Sequence, residues 1–172
     1  MLKRAALIGC CLVAGTVYAK DKKKAEKGAT ATVEAKSDSK VAGMGTFSEK
    51  GGKVTFKLEV TGVPAGEHAV HIHEKGDCSS PDGKSAGGHW NPSTDEHGKW
   101  EAEHHHMGDI GNMTVGADGK GTVTLTTDKW SIGTGQPNDV IGKSIVIHGG
   151  VDDFKTQPTG NAGNRIGCAV IK

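Results

Sequence analysis

The chain has 172 residues, a formal net charge of +1, 27 glycines and few aromatic residues. Its length suits one domain with a core of its own, and its near-neutral charge gives no support for nucleic-acid binding. The nine histidines are the most unusual feature of the composition, because imidazole is the commonest protein ligand for transition metals.

The N-terminus has the features of a secretion signal. Two basic residues precede an apolar stretch over residues 5–16 that is too short to span a membrane, and a small-residue cleavage sequence, VYA, follows. We predict that residues 1–19 are removed after Ala19 and that the mature chain is soluble and is exported to the periplasm or the medium. The alternative is a lipoprotein anchored at Cys10, because residues 7–10 (LIGC) resemble a lipoprotein box.

Residues 20–28 (KDKKKAEKG) are rich in lysine. We interpret this segment as a solvated tether, and the alternative is a patch that meets an anionic surface.

Short runs rich in Val, Thr and Phe follow the tether and are separated by turn sequences. The predicted strands are residues 29–35, 41–47, 54–60, 69–73, 109–115, 121–127, 144–148 and 166–171. With almost no helical signal, they predict an all-β domain over residues 29–172, folded as an eight-stranded antiparallel Greek-key sandwich or barrel. Residues 74–108 and 149–164 lack strand periodicity, and such long loops in a compact domain usually carry function.

Removal of the signal would leave two cysteines, Cys78 and Cys168. In an exported chain such a pair favours a disulfide. The chain-entropy model assigns about 4–5 kcal/mol to a loop of this length. Two soft metal ligands are the weaker alternative, because neither cysteine belongs to a C-x-x-C pair.

Metal-ligand residues recur at short intervals. Residues two apart on a strand share a face, so His71 and His73 should project together. His148 ends a Val/Ile strand and could join them, which would give a set of imidazoles that suits copper. His68 has the opposite parity, and we interpret it as a structural histidine. A second set offers three imidazoles and one carboxylate, which is typical of tetrahedral zinc; it comprises His89, His97, His106 and Asp109.

Four separated segments resemble the copper/zinc superoxide dismutase family. They are GEHAVHIHE (66–74), GGHWNP (87–92), HMGDIGN (106–112) and GNAGNRIGC (160–168). The resemblance implies dismutation of superoxide to oxygen and hydrogen peroxide by redox cycling of one copper ion, beside one structural zinc ion, as a protection against superoxide outside the cytoplasm.

The resemblance also implies roles for individual residues. The implied ligands are His71, His73, His89 and His148 for copper, and His89, His97, His106 and Asp109 for zinc. His89 would bridge the two metals and supply a proton, Arg165 would dock superoxide, and both would be catalytic. Asp152 would hydrogen-bond a copper histidine and a zinc histidine together. Cys78 and Cys168 match the disulfide of the family.

Some features leave alternatives open. Within the run 104–106 we choose His106 as the ligand, because its spacing to Asp109 matches the family motif; His104 and His105 are then solvated side chains or recruit extra metal. Lys155 either helps to attract substrate or is an ordinary exposed lysine. The rival function is an exported copper/zinc buffer or metal-delivery protein. A delivery protein would be expected to lack a copper ligand or Arg165, and neither is missing from this sequence. The sequence leaves the choice between a monomer and a homodimer open.

Overall fold

The computed structural model describes residues 27–172. The proposed signal, Cys10 and most of the proposed tether lie outside the described residues. Within the described part of the chain, no helix has the length and apolar character needed to cross a membrane.

Eight strands and one short 3₁₀ turn, Lys84–Ala86, make up the regular structure of the described residues. The strands are β1 (Lys27–Ala35), β2 (Ala42–Lys50), β3 (Lys53–Thr61), β4 (Gly66–His73), β5 (Asp109–Val115), β6 (Gly121–Thr127), β7 (Ser144–His148) and β8 (Arg165–Val170).

The strands form one closed antiparallel barrel in the order β1-β2-β3-β6-β5-β4-β7-β8. β4, β5 and β6 are consecutive neighbours, and β7 returns to lie beside β4, which is the Greek-key arrangement. Closure leaves no free sheet edge. The predicted all-β Greek-key fold is therefore confirmed, and of the two predicted forms it is the barrel.

The first strand begins earlier than the sequence predicts. Lys27 pairs with Glu49 and Gly28 pairs with Ser48 of β2, so the last two residues assigned to the tether belong to β1. Lysine and glycine are poor strand residues, but pairing with a neighbouring strand outweighs local propensity. Nζ of Lys27 also donates a hydrogen bond to the carbonyl of Ile132 at 2.9 Å.

The barrel interior holds the apolar core, and one outer face holds the histidines. Val70 and Ile72 of β4 pack in the core with residues of β7 such as Ile147, while His71 and His73 alternate with them and project outward. Both β4 and β7 are nonetheless buried on both faces over most of their length. The two predicted loops follow these strands: residues 74–108 connect β4 to β5, and residues 149–164 connect β7 to β8.

A third long connection, residues 128–143, is a feature that the sequence patterns did not predict. It contributes Trp130, Ile132 and Val140 to the core. The ring of Trp130 lies 6.2 Å from the rings of both Phe47 and Phe56.

The predicted disulfide is also confirmed. Cys78, in the loop after β4, is bonded to Cys168 of β8.

Candidate metal centre

Four buried histidines meet on the outer face of β4 and β7. His71 and His73 come from β4, and His148 ends the neighbouring strand β7. His89 comes from the loop and is held against β4 by a bridge to His73. One ring nitrogen from each of the four lies within 4.8 Å of the others, and we name this group the four-histidine cluster.

The rings of the four-histidine cluster are arranged as a distorted square. The ring centroids are 6.5 Å apart for His71 and His73, and 6.4 Å apart for His89 and His148. The other four centroid distances are shorter, from 4.0 to 5.7 Å. Two long diagonals and four shorter edges describe a square, whereas a tetrahedron would have six equal edges.

Each ring in this cluster has one nitrogen that is buried and has no hydrogen-bond partner. These atoms are Nδ1 of His71 and Nε2 of His73, His89 and His148. A buried nitrogen left unpaired is costly. Convergence of four such atoms therefore fits a cation that they would coordinate.

The second nitrogen of each strand-borne ring has a hydrogen-bond acceptor that fixes the ring. Nε2 of His71 donates to Asp152 Oδ2 at 2.8 Å, and Nδ1 of His73 donates to the Gly87 carbonyl at 2.9 Å. Nδ1 of His148 lies 3.4 Å from the Gly163 carbonyl. Such partners set the tautomer that leaves the other nitrogen free to bind a metal.

The second group comprises His89, His97, His106 and Asp109, all buried. The ring centroids of its three histidines are 5.3, 5.3 and 5.5 Å apart. Oxygens of Asp109 lie 2.8 Å from Nδ1 of His89, 3.0 Å from Nδ1 of His97 and 3.3 Å from Nδ1 of His106. Four donors around a tetrahedral ion with bonds of about 2.0 Å would be about 3.3 Å apart, so this group has the dimensions of a tetrahedral site.

His89 belongs to both groups. Its Nδ1 faces Asp109 and His106, while its Nε2 is the unpaired atom in the four-histidine cluster. One imidazole ring therefore presents a nitrogen to each cluster.

Asp152 makes a second link between the clusters. Its Oδ2 accepts a hydrogen bond from His71, and its Oδ1 accepts one from Nε2 of His97 at 2.9 Å. The backbone at Gly160 passes close by, since a Cβ there would overlap the Asp152 carboxylate and lie 2.7 Å from Nε2 of His97. With a φ of 66°, this position requires glycine for both reasons.

Burial and neighbouring charges shift the pKa values of His89 and His97 in opposite directions. Burial, followed by the charges of other histidines, lowers the pKa of His89 to about 4 even though Asp109 opposes the shift. Burial opposes protonation of His97, but hydrogen bonds to Asp109 and Asp152 outweigh it and raise its pKa to about 9. Hydrogen bonds from histidines hold the pKa values of both aspartates well below the usual range, against the effect of burial.

Arg165 lies beside the four-histidine cluster. Its guanidinium donates to the carbonyls of Gly83 and Gly87, both at 2.8 Å, and the Gly87 carbonyl also accepts the hydrogen bond from His73. Burial first, and then nearby charges that include Arg165, lower the pKa values of His73 and His148. The positive charge of Arg165 therefore acts on this cluster.

Four residues predicted from the sequence as structural or possible functional side chains lie outside both groups. His68 is buried, and its two ring nitrogens lie 2.9 Å from the carbonyls of His148 and Pro64. His104 pairs with Asp95 on the surface, and His105 contacts Lys129. Lys155 is exposed in the loop after β7.

Two carboxamides that hold the centre were missed in the sequence. The side chain of Asn112 exchanges two hydrogen bonds with the backbone of Asp152, and that of Gln157 does the same with the backbone of His97. A carboxamide has a donor and an acceptor, so each side chain pairs with both the N–H and the carbonyl of one residue, as a neighbouring strand would. No sequence pattern distinguishes such a role from an ordinary surface amide.

Comparison with known proteins agrees with this barrel and its paired clusters. The family model for copper/zinc superoxide dismutase (SODC) matches residues 41–171. The chain is 44% identical over 149 residues to the copper/zinc superoxide dismutase of Caulobacter vibrioides, which covers 84% of this chain and 85% of that protein. It is 40% identical over 144 residues to the enzyme of the same name from Deinococcus radiodurans, which covers 77% of this chain and 78% of that protein.

Among solved structures, the clock protein EA4 has a similar fold, with a TM-score of 0.74 and 34% sequence identity. The similarity covers 84% of this chain and 92% of that chain. The closed antiparallel barrel and the two histidine clusters that share one ring define a β-barrel protein with a candidate two-metal centre. The family model and the relatives identify its family. The chain belongs to the copper/zinc superoxide dismutase family.

Proposed function

We propose that the chain is a superoxide dismutase that binds one copper and one zinc ion and converts superoxide to oxygen and hydrogen peroxide. The observation that carries this proposal is the His89 ring, which has an unpaired buried nitrogen in one cluster and a nitrogen beside Asp109 in the other. Family membership and the names of the relatives agree with it.

The shapes of the two clusters support an assignment of the metals. Four imidazoles in a distorted square suit the tetragonal geometry of Cu(II), so the four-histidine cluster is the proposed copper site. Three histidines at nearly equal separations around a carboxylate suit tetrahedral zinc. The proposed ligands are therefore His71, His73, His89 and His148 for copper, and His89, His97, His106 and Asp109 for zinc.

When bound, copper would supply the one-electron exchange that turns two superoxide ions and two protons into oxygen and hydrogen peroxide, and zinc would supply a redox-inert positive charge. His89 is suited to deliver a proton, because its Nε2 is buried among the four histidines without a hydrogen-bond partner and imidazole can act both as a ligand and as an acid near neutral pH. Arg165 is suited to attract and orient a small anion, because its guanidinium stays charged and is fixed by two carbonyls. Asp152 would keep His71 and His97 aligned.

Metal analysis and a superoxide assay on one preparation test this proposal. We expect one copper and one zinc per chain and rapid consumption of superoxide, and we expect Arg165→Ala to reduce the rate while both metals remain bound. A chain with full copper and zinc occupancy and no superoxide consumption would contradict the proposal and would favour a metal buffer or delivery protein.

We further propose that the chain acts outside the cytoplasm, with residues 1–19 as a secretion signal and the segment before β1 as a tether. The Cys78–Cys168 disulfide supports export, because such bonds persist in oxidising compartments. Cell fractionation and mass measurement of the mature N-terminus test this proposal. Cleavage after Ala19 would support it, whereas a lipid-modified Cys10 would support the membrane-anchored alternative. Light scattering of the mature protein would decide between a monomer and a homodimer.

A further inference from the structure

The observation that leads beyond the metal ligands is a buried lysine. Lys36, directly after β1, is the one lysine among residues 27–172 that is buried, with 8% of its surface exposed. Buried lysines are rare unless they are paired. Its Nζ donates hydrogen bonds to the carbonyl of Cys78 and to Oε2 of Glu34. The Cys78 carbonyl belongs to residues 78–88, which we name the disulfide loop.

Two connections therefore hold Cys78 to two neighbouring strands. The disulfide joins it to Cys168 of β8, and the ammonium of Lys36 joins it to the end of β1. Glu34 lies opposite Cys168 in the pairing of β1 with β8. The hydrogen bond from Lys36 does not depend on the redox state of the cysteines, so the two connections are chemically independent.

The next residue, Ser37, extends the same clamp. Its backbone N–H donates to the Pro81 carbonyl of the disulfide loop at 2.8 Å. Its hydroxyl donates to the carbonyl of Arg165 at 2.9 Å. Residues 36 and 37 therefore contact both the disulfide loop and the backbone of Arg165.

The disulfide loop in turn holds the guanidinium of Arg165. The side-chain stems of Lys36 and Arg165 approach the same glycine, since a Cβ on Gly83 would lie 3.6 Å from Cγ of Lys36 and 3.2 Å from Cβ of Arg165. The Gly83 and Gly87 carbonyls accept the two hydrogen bonds of the guanidinium. A shift of the loop would move both acceptors and the charge that they orient.

We propose that Lys36, assisted by Ser37, is a positioning residue for Arg165, and that it fixes the anion-docking guanidinium by a connection separate from the disulfide. The inference rests on the proposed function, because it takes Arg165 to be the group that meets superoxide. Charge-assisted hydrogen bonds are stronger than neutral ones, so one ammonium can hold a loop carbonyl in place.

The test uses Lys36→Met in the full chain loaded with copper and zinc. Methionine keeps an unbranched stem against Gly83 but removes the ammonium. The control is Lys57→Met, which removes the same charge from another Lys–Glu pair, because Lys57 forms an exposed ion pair with Glu59 on β3. Azide, a small monoanion, is titrated against the copper absorption band, and kcat/KM for superoxide is measured beside it.

We expect Lys36→Met to weaken azide binding and to lower kcat/KM by about three- to tenfold, since small displacements of a docking group are costly. Lys36→Arg keeps a charged donor, so its azide affinity and its kcat/KM should both be close to those of the wild type. Reduction of the disulfide should weaken azide binding further in Lys36→Met than in the wild type. In the metal-free chain, the amides of the disulfide loop should exchange faster in Lys36→Met.

A Lys36→Met protein that loads both metals and binds azide as tightly as Lys57→Met would overturn the inference, even if its Tm is lower. If Lys36→Met does not load metals, the test uses Ser37→Ala instead. We expect this variant to bind azide about two- to threefold more weakly than the wild type. Unchanged azide binding would overturn the inference. Arg165→Ala separates the two proposals. If this variant leaves azide binding and turnover unchanged, the proposed role of Arg165 fails, whereas an effect of Arg165→Ala without an effect of Lys36→Met refutes only the role of Lys36.

Discussion

Replacement of Asp152 by asparagine tests whether the link between the clusters controls metal binding. The carboxylate accepts hydrogen bonds from His71 at 2.8 Å, from His97 at 2.9 Å and from the backbone N–H of Phe154 at 2.8 Å. An asparagine has one acceptor oxygen, so one of the two histidines would face an N–H group instead. Its ring would lose the acceptor that fixes its tautomer.

The loss can be estimated from the contact itself. A hydrogen bond to a charged group contributes about 1.5–3 kcal/mol, which corresponds to about a 10- to 100-fold change in affinity. The same range is typical for groups that orient metal ligands. We expect zinc binding to fall by this factor and copper binding to fall less, because His97 comes from a loop whereas His71 is held in a strand and packs 4.0 Å from the His89 ring.

Chelator competition with purified protein measures both affinities. Asp153→Asn is the matched control, because this neighbouring carboxylate is exposed and accepts hydrogen bonds only from Lys155 and Thr156 among the described residues. It should change either affinity less than about twofold. If Asp152→Asn keeps both affinities within about threefold of the wild type, the reasoning that Asp152 orients the ligands is refuted.

Three further predictions concern a copper ligand, the disulfide and the titration of the buried histidines. His148→Ala should lose copper and activity but keep zinc and the barrel, as metal analysis and circular dichroism would show; retained copper would exclude His148 as a ligand. Reduction of the Cys78–Cys168 bond should lower the Tm by about 10 °C or more, since closure of a long loop contributes about 4–5 kcal/mol, and an unchanged Tm would contradict this expectation. In the metal-free chain, urea unfolding should show stability falling as the pH drops from about 6.5 towards 4 by about 1.4 kcal/mol per pH unit for each histidine that stays neutral when folded. The pKa values of His73, His89 and His148 are lowered in the folded chain, so the unfolded chain binds more protons in this pH range. A free energy of unfolding that does not change between about pH 6.5 and 4 would refute these lowered pKa values.

The strands were predictable where local pattern and tertiary pairing agree. The predicted bounds of β5, β6 and β7 coincide with the observed ones. The start of β1 was not predictable, because Lys27 and Gly28 have low strand propensity and enter the sheet through pairing with β2. The connection over residues 128–143 was missed because its buried side chains, such as Trp130 and Ile132, show no strand periodicity.

The side chains of the candidate site were predictable because their chemistry is specific to residue type. Histidine and aspartate at short spacings indicate a metal site whatever the backbone does. The carbonyls that fix His73, His148 and Arg165 were not predictable, because every residue has a carbonyl and only the folded loops decide which ones face the site. Lys36 was missed for a related reason, since a lysine at the end of a strand is normally exposed.

The two clusters differ in how much of each exists before the loops fold. Three members of the four-histidine cluster sit on paired strands, whereas the second group comes from the loop before β5 and the first residue of β5. His89 is the loop residue that completes the first cluster, and its position depends on Asp109 and on the bridge to His73. Zinc bound to the second group would therefore hold His89 in the geometry that copper needs. Under the proposed ligand assignment, copper would by thermodynamic linkage favour zinc binding by the same factor. The shared imidazole would then make the two affinities interdependent without any movement of the barrel.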